Sequence, residues 1–412
     1  MRPILAIAAL TLLAPVSAAQ APAAPAFRGL TLDAALAYAR RENPDLALAA
    51  SSLDSARAER SIAGAFPNPI LTATPNTPYQ YGATLDLDIG PQRTSRTRAA
   101  GLGVSAAGLD ARDSERQVAV AVARAFYDAL LADTLAFVMR ERRAVLRQVL
   151  AADSARLRAG DIAVQGIYRS QGELARAEAD EARAEVAARA ALLALQSVIG
   201  LPDPDTTFAI SGDLNFAPLA EDADSVLVAL AMSRRPDLAA TGERVAQSHA
   251  QGSYASALVV PIPQVSYVRQ FTGPFESGRY FSFGVAIEAP VLNTYSGQQE
   301  RATAGLRAAE AVRRRSVTRV RAEVIAAAAD FRTERALVRR FEGGLVAMSD
   351  SAADGARYAY GRGAISLLEV LDAVRAQQDV RVDYFTALHD YWVSGFVLRA
   401  AVGADVLATS IR

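Results

Sequence analysis

Two stretches of the chain alternate between apolar and polar residues, which predicts strands with one apolar face. In the first, residues 79–90, the odd positions are Tyr79, Tyr81, Ala83, Leu85, Leu87 and Ile89. In the second, residues 279–289, one face carries Phe281, Phe283, Val285 and Ile287. Shorter partner strands are expected at 70–74 and 264–271, where Arg269 interrupts one face. Strands of about 10 residues with aromatic residues near one end are typical of membrane barrels. A soluble sheet packed on helices would show the same alternation.

The segments after these strands favour very long helices. Between Gly108 and Gly160 there is neither glycine nor proline, so we expect a helix over 109–159, roughly 75 Å long at ~1.5 Å per residue. A second such stretch, 306–342, ends at Gly343-Gly344, where we expect a bend. Each long helix leads to a glycine turn and a return helix, which predicts an antiparallel helical hairpin. On this evidence a soluble coiled-coil protein fits equally well.

The same order of elements is predicted twice. Asn43-Pro44-Asp45-Leu46 corresponds to Arg235-Pro236-Asp237-Leu238, and Val198-Ile199-Gly200 corresponds to Ala401-Val402-Gly403. Separations this long differ from the periods of about 20–50 residues in solenoids, so one large unit is duplicated. The expected boundaries are a signal peptide (1–19), a first repeat (20–200), a linker (201–224), a second repeat (225–403) and a C-terminal tail (404–412). Within the repeats we expect strands near 70–90 and 262–290, and helical hairpins near 91–199 and 294–402.

The N-terminus and the composition restrict the class of protein. Arg2, an apolar stretch and a small-residue site before Gln20 predict a cleaved secretory signal. Cysteine is absent, which excludes disulfides. The 44 basic residues, all arginine, balance 44 acidic residues and are interleaved with them, which argues against nucleic-acid binding. His249 and His389 are the only histidines and have no motif around them. We therefore expect no enzyme, no cofactor and no protein-bound metal.

Four strands are too few to close a barrel, because the smallest barrels have about 8. An open sheet edge cannot face lipid, because its backbone groups would lack hydrogen-bond partners. If the apolar faces lie in a membrane, several copies of the chain must share one barrel. Three copies would supply an even number of strands, twelve.

Over residues 29–403 the chain resembles the TolC-type outer-membrane efflux channels, also called outer membrane factors. Four motifs carry this resemblance: residues 30–36 (LTLDAAL), 43–46 (NPDL), 235–238 (RPDL) and 366–373 (SLLEVLDA). It implies an α plus transmembrane β fold, in which a homotrimer builds a twelve-stranded barrel, four strands per chain, continued by a periplasmic α-helical coiled-coil barrel. It also implies partners, a periplasmic adaptor and an inner-membrane pump, and passive export of metal cations or small organic compounds across the outer membrane. Residues 387–391 (ALHDY) look closest to the heavy-metal efflux branch.

The resemblance also suggests functional residues. Glu369 and Asp372 match an acidic ring at the periplasmic entrance, where repulsion within a trimer would raise some carboxyl pKa values. Two solvated acids in the first turn of a helix would be equally favourable. The first repeat has Gln165-Gly166-Ile167 in place of such an acid. The expected adaptor-docking residues at the hairpin tips are Gly160, Asp161, Ile162, Gly363, Ala364, Ile365 and Ser366. Asp86, Asp88 and Glu288 are expected to line the barrel lumen, unless they are ordinary exposed strand acids.

Two alternative functions remain open from the sequence. The chain could form the outer-membrane duct of a type I protein secretion system. It could also be a periplasmic coiled-coil adaptor, although such adaptors have one helical hairpin and this sequence predicts two.

Overall fold

A computed structural model describes residues 28–75, 79–219, 222–271 and 279–404. The predicted signal peptide, most of the two strand turns (76–78 and 273–274) and nearly all of the predicted tail lie outside the described residues.

Each half of the chain contains two short helices, a pair of strands, a long helix and a return helix. The first half consists of β1 (Arg28–Leu30), α1 (Leu32–Glu42), α2 (Pro44–Gly64), β2 (Ile70–Thr74), β3 (Tyr79–Asp86), α3 (Pro91–Ala159) and α4 (Val164–Ile199). The second consists of β4 (Ala209–Ile210), α5 (Asp224–Arg234), α6 (Pro236–Ala257), β5 (Pro263–Phe271), β6 (Arg279–Ile287), α7 (Ser296–Arg340), α8 (Val346–Gly361) and α9 (Leu367–Val402).

The long helix of the first half begins earlier than its glycine content predicts. The stretch without glycine or proline begins at residue 109, but α3 runs for 69 residues from Pro91, where the first helical hairpin was expected to begin. Its length is about 100 Å at ~1.5 Å per residue. A glycine inside it marks a close helix crossing. A Cβ on Gly103 would lie 2.9 Å from Nε2 of Gln247 on α6. The glycines in this region therefore permit packing and do not end the helix.

The long helix of the second half is interrupted where Gly343-Gly344 predicts a bend. A π-helical turn, Phe341–Leu345, separates α7 from α8, and Gly344 inside it has φ 120° and ψ −6°. The Tyr384 hydroxyl on α9 donates a hydrogen bond to the Glu342 carboxylate in this turn. The interruption is thus attached to the return helix.

Four strands form one antiparallel sheet in the order β2-β3-β5-β6. The register pairs Tyr81 with Arg269 and Tyr267 with Phe283, so all three aromatic side chains share a face. On that face Phe281, Phe283 and Val285 are about 70% exposed. The opposite face carries Thr72, Gln80, Thr84, Gln264, Ser266, Gln270 and Ser282. The strands β2 and β6 each have one unpaired edge within the described residues.

The duplicated motifs meet each other at two equivalent corners. Asn43 caps α2 and donates from Nδ2 to the Val198 carbonyl at the end of α4 (2.7 Å). At the corresponding place Arg235 donates from Nη1 to the Ala401 carbonyl at the end of α9 (3.3 Å). The sequence repeats that identify the duplication therefore join the start of each repeat to the end of its return helix.

The linker forms part of the main core. Its strand β4 pairs in parallel with β1. Farther along, the Tyr391 hydroxyl donates to the Ala217 carbonyl (2.8 Å) and accepts from the Leu219 amide (3.0 Å). Residues 201–219 thus cross the end of α9 and pack beside Phe331 and Leu388, which are almost fully buried.

Candidate functional site

The candidate site comprises the tips of the two helical hairpins and the exposed sheet at the other end of the long helices. At the first tip α3 ends at Gly160, whose φ of 83° favours glycine. The Gly160 amide donates to Leu157 and the Asp161 amide donates to Arg156, which satisfies the last carbonyls of α3. Asp161 is exposed and Ile162 is half-buried.

The second tip uses Gly363, with φ 72°, in the same way. Ala364 and Ser366 are exposed, but Ile365 packs against a small core around Tyr360, Val370 and Val374. Ile365 therefore contributes to the fold of the tip itself. The sequence did not single out four exposed apolar side chains close to the tips: Val164, Tyr168, Tyr358 and Leu368.

Glu369 is part of a capping box at the start of α9. Its carboxylate accepts hydrogen bonds from the amide and the hydroxyl of Ser366 (2.7 and 2.8 Å), and its own amide donates to the Ser366 hydroxyl. These bonds lower the pKa of Glu369 from its ordinary value. In the single chain the pKa of Glu369 is thus lowered, whereas a crowded acidic ring would raise it, because local hydrogen bonds favour the ionised carboxylate.

Asp372 lies next to a cation. Its carboxylate is 3.6 Å from Arg375, which forms a closer ion pair, 2.5 Å, with Glu173 on α4. Burial raises the pKa of Glu173, but the hydrogen bond and the charge of Arg375 outweigh burial and lower it. The exposed acids Glu369 and Asp372 are therefore accompanied by Arg375, which links the two hairpins.

A buried acid that the sequence analysis missed joins three helices near the tips. Asp153 on α3 is fully buried and accepts hydrogen bonds from Ser170 on α4 and from the hydroxyl of Tyr360 on α8. Burial and the Asp153 carboxylate raise the pKa of Tyr360 to about 12. Asp153 looks like any polar residue of a long helix, so only its contacts distinguish it.

The three predicted lumen acids occupy different environments. Asp86 ends β3 on the polar face and is half-buried, and its Oδ1 has no hydrogen-bond partner among the described residues. Glu288 is exposed, one residue beyond β6. Asp88 differs from the other two, because it lies beyond β3 and is only 1% exposed. Its Oδ2 pairs with Nη2 of Arg96 at 2.8 Å.

Arg96 explains why Asp88 is buried. The Nε of Arg96 donates to the Ala63 carbonyl at the C-terminal end of α2 (2.9 Å), while its other nitrogen holds Asp88. Arg93 contacts the next carbonyl, that of Gly64. Cations are favourable at the negative end of a helix. Asp88 therefore helps to fix the junction between the sheet and the long helices.

Within the described residues, no cluster of three or more histidine or acidic side chains has the geometry to hold a metal ion. Among the helices of the described part, none combines the length and apolar character required to cross a bilayer.

Several solved structures of membrane proteins, most of them described as channels, have the same architecture. CusC, described as a transmembrane channel, superposes with a TM-score of 0.77 over 91% of this chain and 92% of its own, at 18% identity. A membrane protein from Pseudomonas aeruginosa has a TM-score of 0.78, with coverage of 90% and 92% and 20% identity. The outer-membrane channel MtrE from Neisseria gonorrhoeae, in its open state, has a TM-score of 0.73, with coverage of 92% and 90% and 19% identity. This chain has the outer-membrane channel fold.

No protein-family model matches the sequence, and no curated protein matches it. The channel fold expected for the single chain is nevertheless confirmed, because the likeness extends over about nine tenths of the chain. Within this fold, the exposed apolar sheet and the hairpin tips lie at the two ends of the long helices.

Proposed function

We propose that this protein is the outer-membrane channel of a tripartite efflux system. The observation that carries the proposal is a four-stranded sheet with one exposed apolar face and two unpaired edges, attached to long helices of which α3 is about 100 Å long. Such a face is favourable in lipid, but the edges at β2 and β6 are not. Three copies joined edge to edge would close a twelve-stranded barrel and satisfy both edges.

The helices would extend the barrel into the periplasm as a passive duct. The polar sheet face would line the lumen, with Asp86 and Glu288 on or next to it. The hairpin tips would receive a periplasmic adaptor, through Gly160, Asp161, Ile162, Gly363, Ala364 and Ser366 and the exposed apolar residues near them. An inner-membrane pump would supply the energy and most of the substrate selection.

The substrates would be metal cations or small organic compounds. Glu369 and Asp372 would form the acidic part of the periplasmic entrance, since three copies would bring six carboxylates near one axis. Arg375 would moderate that charge, because it contacts Asp372 and Glu173. The first tip would contribute no acid at the equivalent position.

The test of location and assembly is fractionation of cells that express the full chain. We expect a heat-resistant trimer that stays with the outer membrane during salt and carbonate washing. A protein released by carbonate would contradict the channel proposal and favour a periplasmic adaptor.

The test of transport is efflux in a strain that lacks its own channel. Cellular zinc, cobalt, nickel, cadmium, copper and silver would be measured beside dyes and antibiotics. If the entrance acids act on cations, Glu369→Ala/Asp372→Ala should reduce metal efflux. The matched control, Glu115→Ala/Asp133→Ala, changes two exposed acids in the shaft of α3 and should leave efflux unchanged. Restored export of organic compounds alone would keep the channel and exclude metal cations as substrates.

A further inference from the structure

His389 occupies an unusual position between the two helical hairpins. Its ring lies between two carboxylates: Nε2 is 2.7 Å from Oδ1 of Asp128 on α3, and Nδ1 is 2.8 Å from Oδ1 of Asp390 on α9. The histidine side chain is only 12% exposed. It is 22 residues beyond the start of α9, roughly 33 Å from the tip at ~1.5 Å per residue. The contact therefore lies in the shaft of the hairpins, far from the proposed entrance.

Hydrogen-bond chemistry determines the charge of this ring. A neutral imidazole has one donor nitrogen and one acceptor nitrogen, whereas an imidazolium donates from both. Ionised carboxylates only accept hydrogen bonds. Both contacts of His389 can therefore be hydrogen bonds only while the ring is protonated. Neither nitrogen is then free to bind a metal ion.

The charges around His389 also favour its protonated form. Burial favours the neutral ring, but the hydrogen bonds and charges of Asp128 and Asp390 outweigh burial and raise the pKa of His389. On α7, Glu334 faces Asp390, and burial together with Asp390 and Asp330 raises the pKa of Glu334. On α4, Arg183 lines the same cleft as Asp128 but pairs with Asp180 at 3.0 Å. The linker residues 215–219, which cross the next turn of α9, carry no charge.

We propose that His389 is a proton-operated link between the first and the second helical hairpin. Protonated, it connects Asp128 on α3 to Asp390 on α9. When the proton is lost, one nitrogen presents a lone pair to a carboxylate, so that one of the two hydrogen bonds is replaced by repulsion. A neutral ring that keeps its Nε2–H bond to Asp128 turns the Nδ1 lone pair towards Asp390, and in either tautomer the attraction between a charged ring and the Asp128 carboxylate is lost. The contact between α3 and α9 then weakens.

The first measurement is the pKa of His389 in the full-length protein in detergent, by histidine hydrogen–deuterium exchange and mass spectrometry. The chain contains only two histidines, so each can be followed in its own peptide. We expect the midpoint for His389 to lie above the ordinary value of about 6.5. A midpoint at or below that value would overturn the proposal without any variant being made.

The second measurement is thermal stability between pH 6 and pH 9. A raised pKa means that the link is fully formed below pH ~6.5 and is lost as the pH rises through the pKa of His389. His389→Gln should therefore melt below the wild type at pH 6, and the difference should shrink towards pH 9. The matched control His249→Gln changes the exposed histidine and should follow the wild type at every pH.

A third variant tests the direction of the proton effect if His389→Gln does not fold. In Asp390→Asn the amide can donate to Nδ1, so a neutral ring can keep its Nε2–H bond to Asp128. We expect this variant to melt with less dependence on pH than the wild type. The link would be contradicted if the melting temperature of Asp390→Asn depended on pH as strongly as that of the wild type. It would also be contradicted if the melting temperature of His389→Gln differed from that of the wild type by the same amount at every pH. None of these readouts involves transport, so they can fail or succeed independently of the channel proposal.

Discussion

The two repeats have the same order of elements but different means of holding them in place. In the first repeat, Asn43 joins the corner by a neutral hydrogen bond, α3 is continuous, and α4 starts at Ala163 without a side-chain cap. In the second repeat, Arg235 joins the corner by a hydrogen bond to the Ala401 carbonyl and also forms ion pairs with Asp237 and Glu323. A π-helical turn interrupts the long helix of this repeat, and Ser366 caps its return helix. Two copies of one backbone can thus keep the same shape with different caps, charges and helix interruptions.

The largest effect should come from the charged corner of the second repeat. The Arg235 side chain is 3% exposed and contacts Asp237 through two bonds (2.7 and 2.9 Å) and Glu323 through one (2.7 Å). Arg235→Ala would remove the main partner of the largely buried Asp237 carboxylate and leave it only the longer contact to Arg319 (3.3 Å). We therefore expect a loss of about 3 kcal/mol, at the low end of the range for a broken buried ion pair. Glu323 is partly exposed, so the loss of its pair with Arg235 adds little to the free-energy cost. The free energy of unfolding in detergent, from denaturant titration, measures this loss.

The matched change in the first repeat is Asn43→Ala. It removes a helix cap and one hydrogen bond between helices, together about 2 kcal/mol, and leaves no buried charge unpaired. Equal losses at Arg235 and Asn43 would mean that the ion pairs add nothing to the corner.

The next largest loss of stability should come from the buried node that joins both hairpins, which consists of Asp153, Ser170 and Tyr360. Asp153→Ala would deprive the hydroxyls of Ser170 and Tyr360 of their buried acceptor, a loss of roughly 2–3 kcal/mol. Asp153→Asn keeps an oxygen in place and should lose less. If Asp153→Ala were as stable as the wild type, the node would not hold the hairpins together.

A smaller loss of stability is expected when the glycines that end the two return helices are replaced. Gly200 and Gly403 both have positive φ, 86° and 77°, so alanine at either costs about 1–2 kcal/mol of backbone strain. A Cβ on Gly200 would also lie 2.7 Å from the Glu42 carbonyl oxygen, whereas one on Gly403 would lie 3.1 Å from the Arg234 backbone. Gly200→Ala should therefore lower the melting temperature more than Gly403→Ala. The reverse order would show that the first corner relaxes more easily.

Much of the fold could be predicted because its signals are periodic. Alternation located the strand pairs to within a few residues, and the Gly160 and Gly363 turns located both tips. The glycine-free stretch alone would place the start of α3 at residue 109 and not at Pro91, because glycine is an ambiguous signal. Gly103 permits close approach to α6, whereas Gly160 ends a helix, and only the three-dimensional contacts separate these uses.

The candidate site could be predicted less well because its chemistry depends on contacts between distant residues. Asp88 lies in phase with the polar face of β3, yet it is buried and pairs with Arg96, about one helical turn into α3. Asp153 finds Tyr360 more than two hundred positions away. A sequence pattern records neighbours along the chain and gives no sign of such pairs.

In the π-helical turn, replacing glycine by alanine should have opposite effects on stability at two adjacent residues. At neither Gly343 nor Gly344 would a Cβ meet another atom within 4 Å, but only Gly344 has a positive φ. Gly344→Ala should therefore destabilise the second hairpin by about 1–2 kcal/mol. Gly343→Ala should be neutral or stabilising by up to ~1 kcal/mol, because alanine favours helices. The melting temperatures of the two variants would show whether only Gly344 has to be glycine. Destabilisation by both substitutions would indicate that the interruption needs both glycines.

The smallest effect concerns the caps of the two tips. Ser366→Ala should destabilise the second tip by about 1 kcal/mol or less. Ala163→Ser/Gly166→Glu would place the residues of a capping box at the start of α4 in the first repeat. Because hydrogen bonds lower the pKa of Glu369, its contribution is complete above the ordinary pKa of 4.5 and is lost as the pH falls through the lowered value. Melting at pH 7 and pH 3 should therefore show a Glu369→Ala deficit only at pH 7. A deficit that persists at pH 3 would mean that Glu369 acts through its size and not through its charge.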